Sequence, residues 1–490
     1  MLSIALGLLI SVAPAADDAI PPPSDLWEGM NLDGGPAPDG TWVQQVTDMG
    51  NLLHCTGEPK GFLASRAHYR TMELEFEWRW PEEPGNSGLL LFTETLGFVS
   101  QPGLIGGWPR NLEVQLQSGD AGHFVLLGPD VALDVLDPET GEVHTGERNA
   151  GIFRRRAVDD VEKPLGEWNQ MRVEVGPDEI VVYVNGTEVN RGVGGSLTAA
   201  HPAGFKPGAF AFQSEGAPIQ FRNVRVAGAA SNKPRALWNG GLTALSRIAS
   251  DDFIAGFGGG SDSPFDAWSP IRNDGKQDQV FRFSSLDHSG ITNEDRDGFW
   301  FQTGQARSTD RAEGGQHRDP QVLYVGGQPS GYLRTNDSFG DDYHLSLEWA
   351  WEGERGGNSG VLLHVTQPDV LFGWPQSMEV QLQSGSAGDF WVIGEDQVDI
   401  TVPNMAERRA AKREGDLHSH RRIRRLPFEQ SPERPVGQWN RMDIDLNGDR
   451  IRVWVNGRLV NEGSGLTVRS GAIALQSEGT PIRFRNVYVR

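Results

Sequence analysis

The chain has 490 residues, with 44 basic against 66 acidic side chains and a net charge of −22. A surface this acidic repels phosphate backbones, so nucleic acid is excluded as a partner. A hydrophobic share of 37%, with 15 Trp and 22 Phe, excludes a wholly disordered chain, and the single cysteine, Cys55, excludes an intrachain disulfide.

In chain order, residues 1–16 come first: an apolar run closing on Ala13-Pro14-Ala15, the small-x-small pattern of a signal peptide. The expectation is export, to a secreted or periplasmic location. No later stretch approaches the ~20 apolar residues of a membrane span.

Met72, Leu74, Phe76, Trp78 and Trp80 alternate with Glu73, Glu75, Glu77 and Arg79. That period of two marks a strand with one buried and one polar face. Gly85-Asn86-Ser87-Gly88 and then Trp108 precede Glu113-Val114-Gln115-Leu116-Gln117. On a strand, Val114 and Leu116 turn to the core while Glu113, Gln115 and Gln117 share the other face. A carboxylate beside two carboxamides suits hydroxyl recognition, and Trp108 would offer a stacking platform for a sugar ring. His123 follows in a loop. The basic run Arg154 to Arg156 reads as a salt-bridged loop or, less readily, an anion site. Asn185-Gly186 between valine-rich runs is a hairpin signal. Phe210 and Phe212 share a face, so Gln213 and Glu215 point to the opposite one. Glu215 is an acid or base candidate, and Arg222 in Phe221-Arg222-Asn223 reads as a partner for a sheet carboxylate.

The series then repeats. Gly357-Asn358-Ser359-Gly360, Trp374, Glu379-Val380-Gln381-Leu382-Gln383, Asn456-Gly457, Gln476 to Gly479 and Phe484-Arg485-Asn486 return in the same order. Asp389 stands where the first copy has His123, and Glu478 where it has Glu215. Domain limits follow: residues 25–228 for the first copy, 229–236 for a linker and 237–490 for the second. Leu237 to Gly240 echoes Leu26 to Gly29, and a long insertion near 241–330 reads as strands with a loop. With almost no helical period, each copy is expected to be an all-β sandwich or jelly roll. Phosphate-binding loops, His-x-x-x-His zinc patterns and serine elbows are absent from the sequence.

Gly-Asn-Ser-Gly, Glu-x-Gln, Glu162-Lys163-Pro164 leading to Glu167-Trp168-Asn169, Val184-Asn185-Gly186 and Phe221-Arg222-Asn223-Val224 together resemble the 3-keto-disaccharide hydrolase domain. That family is also described as 3-keto-glucoside 1,2-lyase and 3-keto-2-hydroxy-glucal hydratase. The resemblance implies two tandem concanavalin-like sandwiches and carries onto Asn86, Glu113, Gln115, Trp168, Asn185 and Arg222. In the second copy it carries onto Asn358, Glu379, Gln381, Trp439, Asn456 and Arg485. Many members have His-Gly where this chain has Glu215-Gly216 and Glu478-Gly479.

The implied chemistry is removal of the C2 proton of a 3-keto-glucoside, β-elimination at C1 and hydration. Glu113 and Glu379 would serve as base or ligand, and Glu215, Glu478, Asp389 and His123 as acid candidates. Gln115, Gln117, Gln381, Gln383, Trp108, Trp374, Asn86 and Asn358 would bind a carbohydrate substrate. A retaining glucanase needs two carboxylates about 5 Å apart, and on this strand the partner positions are amides. A divalent cation could stabilise an enolate, but the sequence assigns no cofactor and no metal ligands, nor an oligomeric state. Two other readings stand beside the enzyme: a tandem lectin-like carbohydrate-binding protein, and an envelope adhesion or scaffold pair.

Overall fold

A computed structural model describes residues 26–47, 50–100, 104, 106–128, 131–136, 140–145, 152–153, 161–196, 207–228, 230–231, 235–238, 268–272, 299–301, 322–327, 330–335, 337–366, 374–394, 398–410, 421–426 and 430–490. The signal-peptide segment, Arg154 to Arg156 and most of 241–330 lie outside these residues. Among the described residues no helix is long and apolar enough to cross a membrane.

The first unit is a β-sandwich of two antiparallel sheets. Its site-bearing sheet runs in the order Trp27–Asn31, Gly61–Ser65, Ala209–Ser214, Gly88–Thr93, Asn111–Gln115, Phe124–Leu127, Ile152–Phe153. Its outer sheet has nine strands, with Asn169–Val175, Met72–Arg79 and Ile219–Ala227 adjacent near the centre. The alternation read from residues 72–80 holds, since Met72, Leu74, Phe76 and Trp78 enter the core between the sheets. There Phe212 of one sheet stacks on Phe221 of the other at 4.3 Å. Each such buried side chain contributes about 1.5–3 kcal/mol.

The second unit repeats the plan. Its site-bearing sheet orders Trp268–Arg272, Gly331–Thr335, Ala472–Ser477, Gly360–Val365, Ser377–Gln381, Phe390–Ile393 and Arg422–Ile423. The edge strand equivalent to Trp27–Asn31 is therefore Trp268–Arg272, because each pairs with the strand beside the C-terminal Gln-Ser strand of its unit. Arg235–Trp238, the apparent echo of Leu26 to Gly29, instead adds to the outer sheet along Val487 to Val489. Within 241–330, the described strands are Trp268–Arg272, Phe299–Phe301 and Leu323–Val325. A short helix, Met405–Ala410, buries Arg408, whose Nε donates to Arg424 O at 2.9 Å. Six residues are too few to leave a period in the sequence.

The hairpins turn as read. Asn185 and Gly186 have φ of 50° and 82°, and Asn456 and Gly457 have 48° and 74°, the backbone of a type I′ turn. The asparagine also ties loops together: Asn185 Nδ2 donates to Val161 O and Asn169 Oδ1, both at 2.8 Å.

Candidate active site

Glu113 sits on the face of the site-bearing sheet that turns away from the sandwich core, opposite Leu90 on one neighbour and Val125 on the other. The residue is 4% exposed, and its Oε1 is buried without a hydrogen-bond partner. Burial, reinforced by the charge of Glu215 and partly opposed by a hydrogen bond from Gln213, pushes its pKa up to about 8. Gln213 Oε1 likewise lacks a partner. The two oxygens converge over Gly88, where a methyl group would stand 2.4 Å from Glu113 Oε1 and 2.7 Å from Gln213 Oε1. In the second unit Glu379, Gln476 and Gly360 reproduce this arrangement, with the same 2.4 Å and 2.7 Å approaches. Glu379 Oε1 and Gln476 Oε1 are again unpartnered, and burial, with the charge of Glu478, pushes Glu379 up to about 8 against the opposing pull of Arg422.

The Gly-Asn-Ser-Gly motif explains itself around these carboxyls. Asn86 makes bridge contacts with Glu215 and Gly216, and its Nδ2 donates to Glu215 Oε2 at 2.9 Å. Ser87 Oγ donates to Gln213 O at 2.9 Å. Gly88 leaves room for the carboxyl, and Gly85 leaves room for Ala217. In the second unit Asn358 makes the same bridge contacts with Glu478 and Gly479, Ser359 Oγ donates to Gln476 O at 2.8 Å, and Gly360 leaves room for the Glu379 carboxyl. Two acidic groups of unequal exposure therefore stand together in each unit. The outer one differs between units: Lys60 Nζ lies 3.3 Å from Glu215 Oε1. Cross-strand register puts Ser330 at the equivalent place, and burial raises the Glu478 pKa.

Other expected residues serve elsewhere. Gln115 folds onto its own chain, its Oε1 accepting from Leu116 N and Gln117 N at 2.9 Å each. Gln381 does the same for Leu382 N and Gln383 N, also at 2.9 Å each. These amides close the strand end, so the polar row shrinks to its glutamate. Gln117 and Gln383 lie past the strand, and Gln383 Oε1 accepts from Arg422 at 2.7 Å. Trp108, only 7% exposed, is no open platform. Trp374 is half-buried and packs 6.3 Å from Tyr332. His123 Nδ1 lies 3.5 Å from Asp120 Oδ1. Asp389 is fully buried and accepts from Arg422 Nε at 3.0 Å, from an Arg424 guanidinium nitrogen at 3.2 Å and from Arg425 N at 2.7 Å. A carboxylate so engaged holds its loop, and Arg422 to Arg425 form a salt-bridged structure around it.

Trp168, Asn185 and Arg222 belong with the outer sheet, away from Glu113. Arg222 pairs with Glu77 and covers the Trp168 ring at 4.1 Å, with Arg79 at 4.6 Å. Arg485, Glu348 and Trp439 repeat this. Glu162 accepts from Gly119 N and Ala121 N, and Glu433 from Gly385 N and Ala387 N, so this motif pins the loop after the glutamate strand.

The family model for the 3-keto-alpha-glucoside-1,2-lyase-like domain matches residues 22–227 and again 265–490. The chain belongs to this family. Its two 3-keto-alpha-glucoside-1,2-lyase-like domains each contain the complete Asn, Gly, Glu, Gln and Glu set described above. The second match begins just before Trp268–Arg272, consistent with that strand being the counterpart of Trp27–Asn31. None of the curated proteins matches this sequence.

Among solved structures the chain is similar to a protein of Parabacteroides distasonis ATCC 8503 proposed to be a glycosyl hydrolase, at 20% identity over 41% of this chain and 88% of that one, TM-score 0.27. It is also similar to the carbohydrate binding module CBM66 of Bacillus subtilis, at 11% identity over 34% and 84%, TM-score 0.25. A third is domain 4 of a GH43 extracellular arabinanase from Geobacillus stearothermophilus, at 13% identity over 42% and 83%, TM-score 0.24. Among the described residues, no group of three or more His, Cys, Asp and Glu side chains is placed to hold a metal ion in either 3-keto-alpha-glucoside-1,2-lyase-like domain.

Proposed function

We propose that each domain cleaves 3-keto-glycosides, with the two glutamates dividing the proton transfers. The observation that carries this reading is the buried inner carboxyl, whose unpartnered oxygen faces a second unpartnered oxygen over a glycine. Raised to about 8, Glu113 and Glu379 hold their protons at neutral pH. Glu215 accepts from Asn86 Nδ2 at 2.9 Å and lies 3.3 Å from Lys60 Nζ, so the outer carboxyl of the first domain stands among donors. Paired carboxyls in unequal surroundings are the usual way one site supplies both an acid and a base.

In this reading the outer glutamate removes the proton from C2, which the C3 ketone acidifies, and the electrons pass into an enolate. The enolate collapses to a C1–C2 double bond and expels the C1 oxygen. The inner carboxylic acid gives that leaving oxygen its proton. Water then adds its oxygen to C1 and a proton to C2, so the sum is hydrolysis. These roles reverse the ones the sequence suggested, because burial rather than position on the strand decides which carboxyl stays neutral. The N-terminal segment is the support for placing the activity outside the cytoplasm.

The test is aglycone release from an aryl 3-keto-glucoside, together with deuterium uptake at C2 in heavy water. Release with exchange supports elimination and hydration, whereas binding without release means a lectin-like pair. A sharper check is Gly360→Ala combined with Gly88→Ala. The added methyls strike only side-chain ends, so the melting temperature is expected to move by a few degrees while turnover falls ~10-fold or more through misplaced carboxyls. Unchanged turnover would remove Glu113 and Glu379 from the chemistry.

A further inference from the structure

The two domains share their glutamates but differ in what lies beside them. In an antiparallel sheet, directly opposed residues project to one face, so one row of partners can be followed across each site-bearing sheet. In the first domain the row reads Glu28, Ala64, Ala211, Leu90, Glu113, Val125. In the second, from the position of Ala64 onward, it reads Arg334, Ala474, Leu362, Glu379, Trp391, Arg422. Its charge is inverted. The first row's end carries Glu28, neutralised by Arg66 at 3.1 Å with both side chains buried. The second carries two guanidiniums flanking the glutamate.

These guanidiniums are not equivalent. Arg422 is engaged by Asp389 and Gln383. Arg334 is half-buried, its Nε is buried without a hydrogen-bond partner, and it forms no ion pair among the described residues. Tyr332, two residues away on the same strand and thus the same face, packs at a tilt 6.3 Å from Trp374 and replaces Phe62 of the first domain. Arg334 stands three strand spacings from Glu379, about 14 Å between backbones at ~4.8 Å per strand. An extended arginine and one sugar ring together fill that span. A half-buried guanidinium with an unpartnered buried nitrogen, on the same sheet face as the Tyr332 and Trp374 rings, is suited to recognise a carboxylate.

We infer that the second domain takes a carboxylate-bearing sugar, a uronic-acid type of keto-glycoside held through Arg334, while the first domain takes neutral ones. This rests on the cleavage reading above. The experiment uses the full chain carrying Glu113→Gln, so that turnover reports the second domain, and compares aryl 3-keto-glucuronide with aryl 3-keto-glucoside. The glucuronide is expected to show the lower KM. Arg334→Ala should raise that KM ~10-fold or more, Arg334→Lys should raise it less, and kcat/KM for the neutral glucoside should stay unchanged, which also shows that the variant is folded. A glucuronide KM indifferent to Arg334→Ala, or a preference for the neutral substrate, overturns the inference. Where neither glycoside is cleaved, the cleavage reading has failed by itself. Calorimetric binding of the unoxidised glucuronide and glucoside then decides: glucuronide-selective binding lost in Arg334→Ala supports the inference, and equal binding of both contradicts it.

Discussion

Glu113→Gln combined with Glu379→Gln is expected to lower turnover of 3-keto-glycosides by ~10²–10⁴-fold, the range supplied by a positioned proton donor. Each single variant should keep the activity of the other domain. The substitution is nearly isosteric and replaces a buried acid with a neutral amide, so folding is preserved. Loss of activity by general collapse is therefore distinguishable by circular dichroism. The wild-type rate should itself fall above about pH 8, as the inner carboxyls lose their protons.

The same variants change stability in a defined direction. Because the folded-state pKa of about 8 lies above the ordinary 4.5, the folded chain keeps protons that the unfolded chain has released. Stability then declines as pH rises from about 4.5 to about 8 and levels off above. The decline amounts to a few kcal/mol at each site. In the glutamine variants that slope should vanish, and at pH 9 they should be more stable than wild type. Urea unfolding across this range checks it.

Asp389→Ala should be the most destabilising single change in the second domain. It strips the carboxylate from beside Arg422 and Arg424, which are 6% and 1% exposed, and from the backbone N–H of Arg425. Breaking a buried ion pair from one side costs about 3–5 kcal/mol, because the surviving charges stay buried. For a domain of this size that is a fall of about 10 °C in melting temperature. His123→Ala, at the equivalent place in the first domain, should cost far less, since His123 is half-buried beside Asp120. Calorimetry that resolves the two domains would show one transition moving and the other nearly still. Equal shifts would mean that Asp389 is not what holds the Arg421 to Leu426 segment.

The architecture was largely legible because its signals are local. Alternation over Met72 to Trp80 places a strand, Asn185-Gly186 forces a turn, and the repeat of whole motifs doubles every inference. The site was legible only in part. Glu113 and Glu379 stood out, and the parity of Phe210 and Phe212 correctly turned Gln213 and Glu215 to the glutamate face. Gln115 was misleading because strand parity says where a side chain starts and not where its amide ends. Only the fold shows it capping its own backbone. Trp108 misled for a similar reason: what packs over a tryptophan is settled by the fold and not by its place on the chain. Arg334 carried no motif at all. Its interest arises from a row of cross-strand neighbours, which requires the sheet order. Gly88 had a visible signal, its place in a repeated motif, but its purpose as space for two oxygens needed coordinates.

The most direct measurement is a carbon-13 titration of glutamate carboxyls in the labelled full-length chain. Two carboxyl signals titrating near pH 8 are expected, and both should disappear in the Glu113→Gln, Glu379→Gln variant. If every glutamate titrates between about pH 3 and 5, no inner carboxyl stays protonated at neutral pH and the account is wrong.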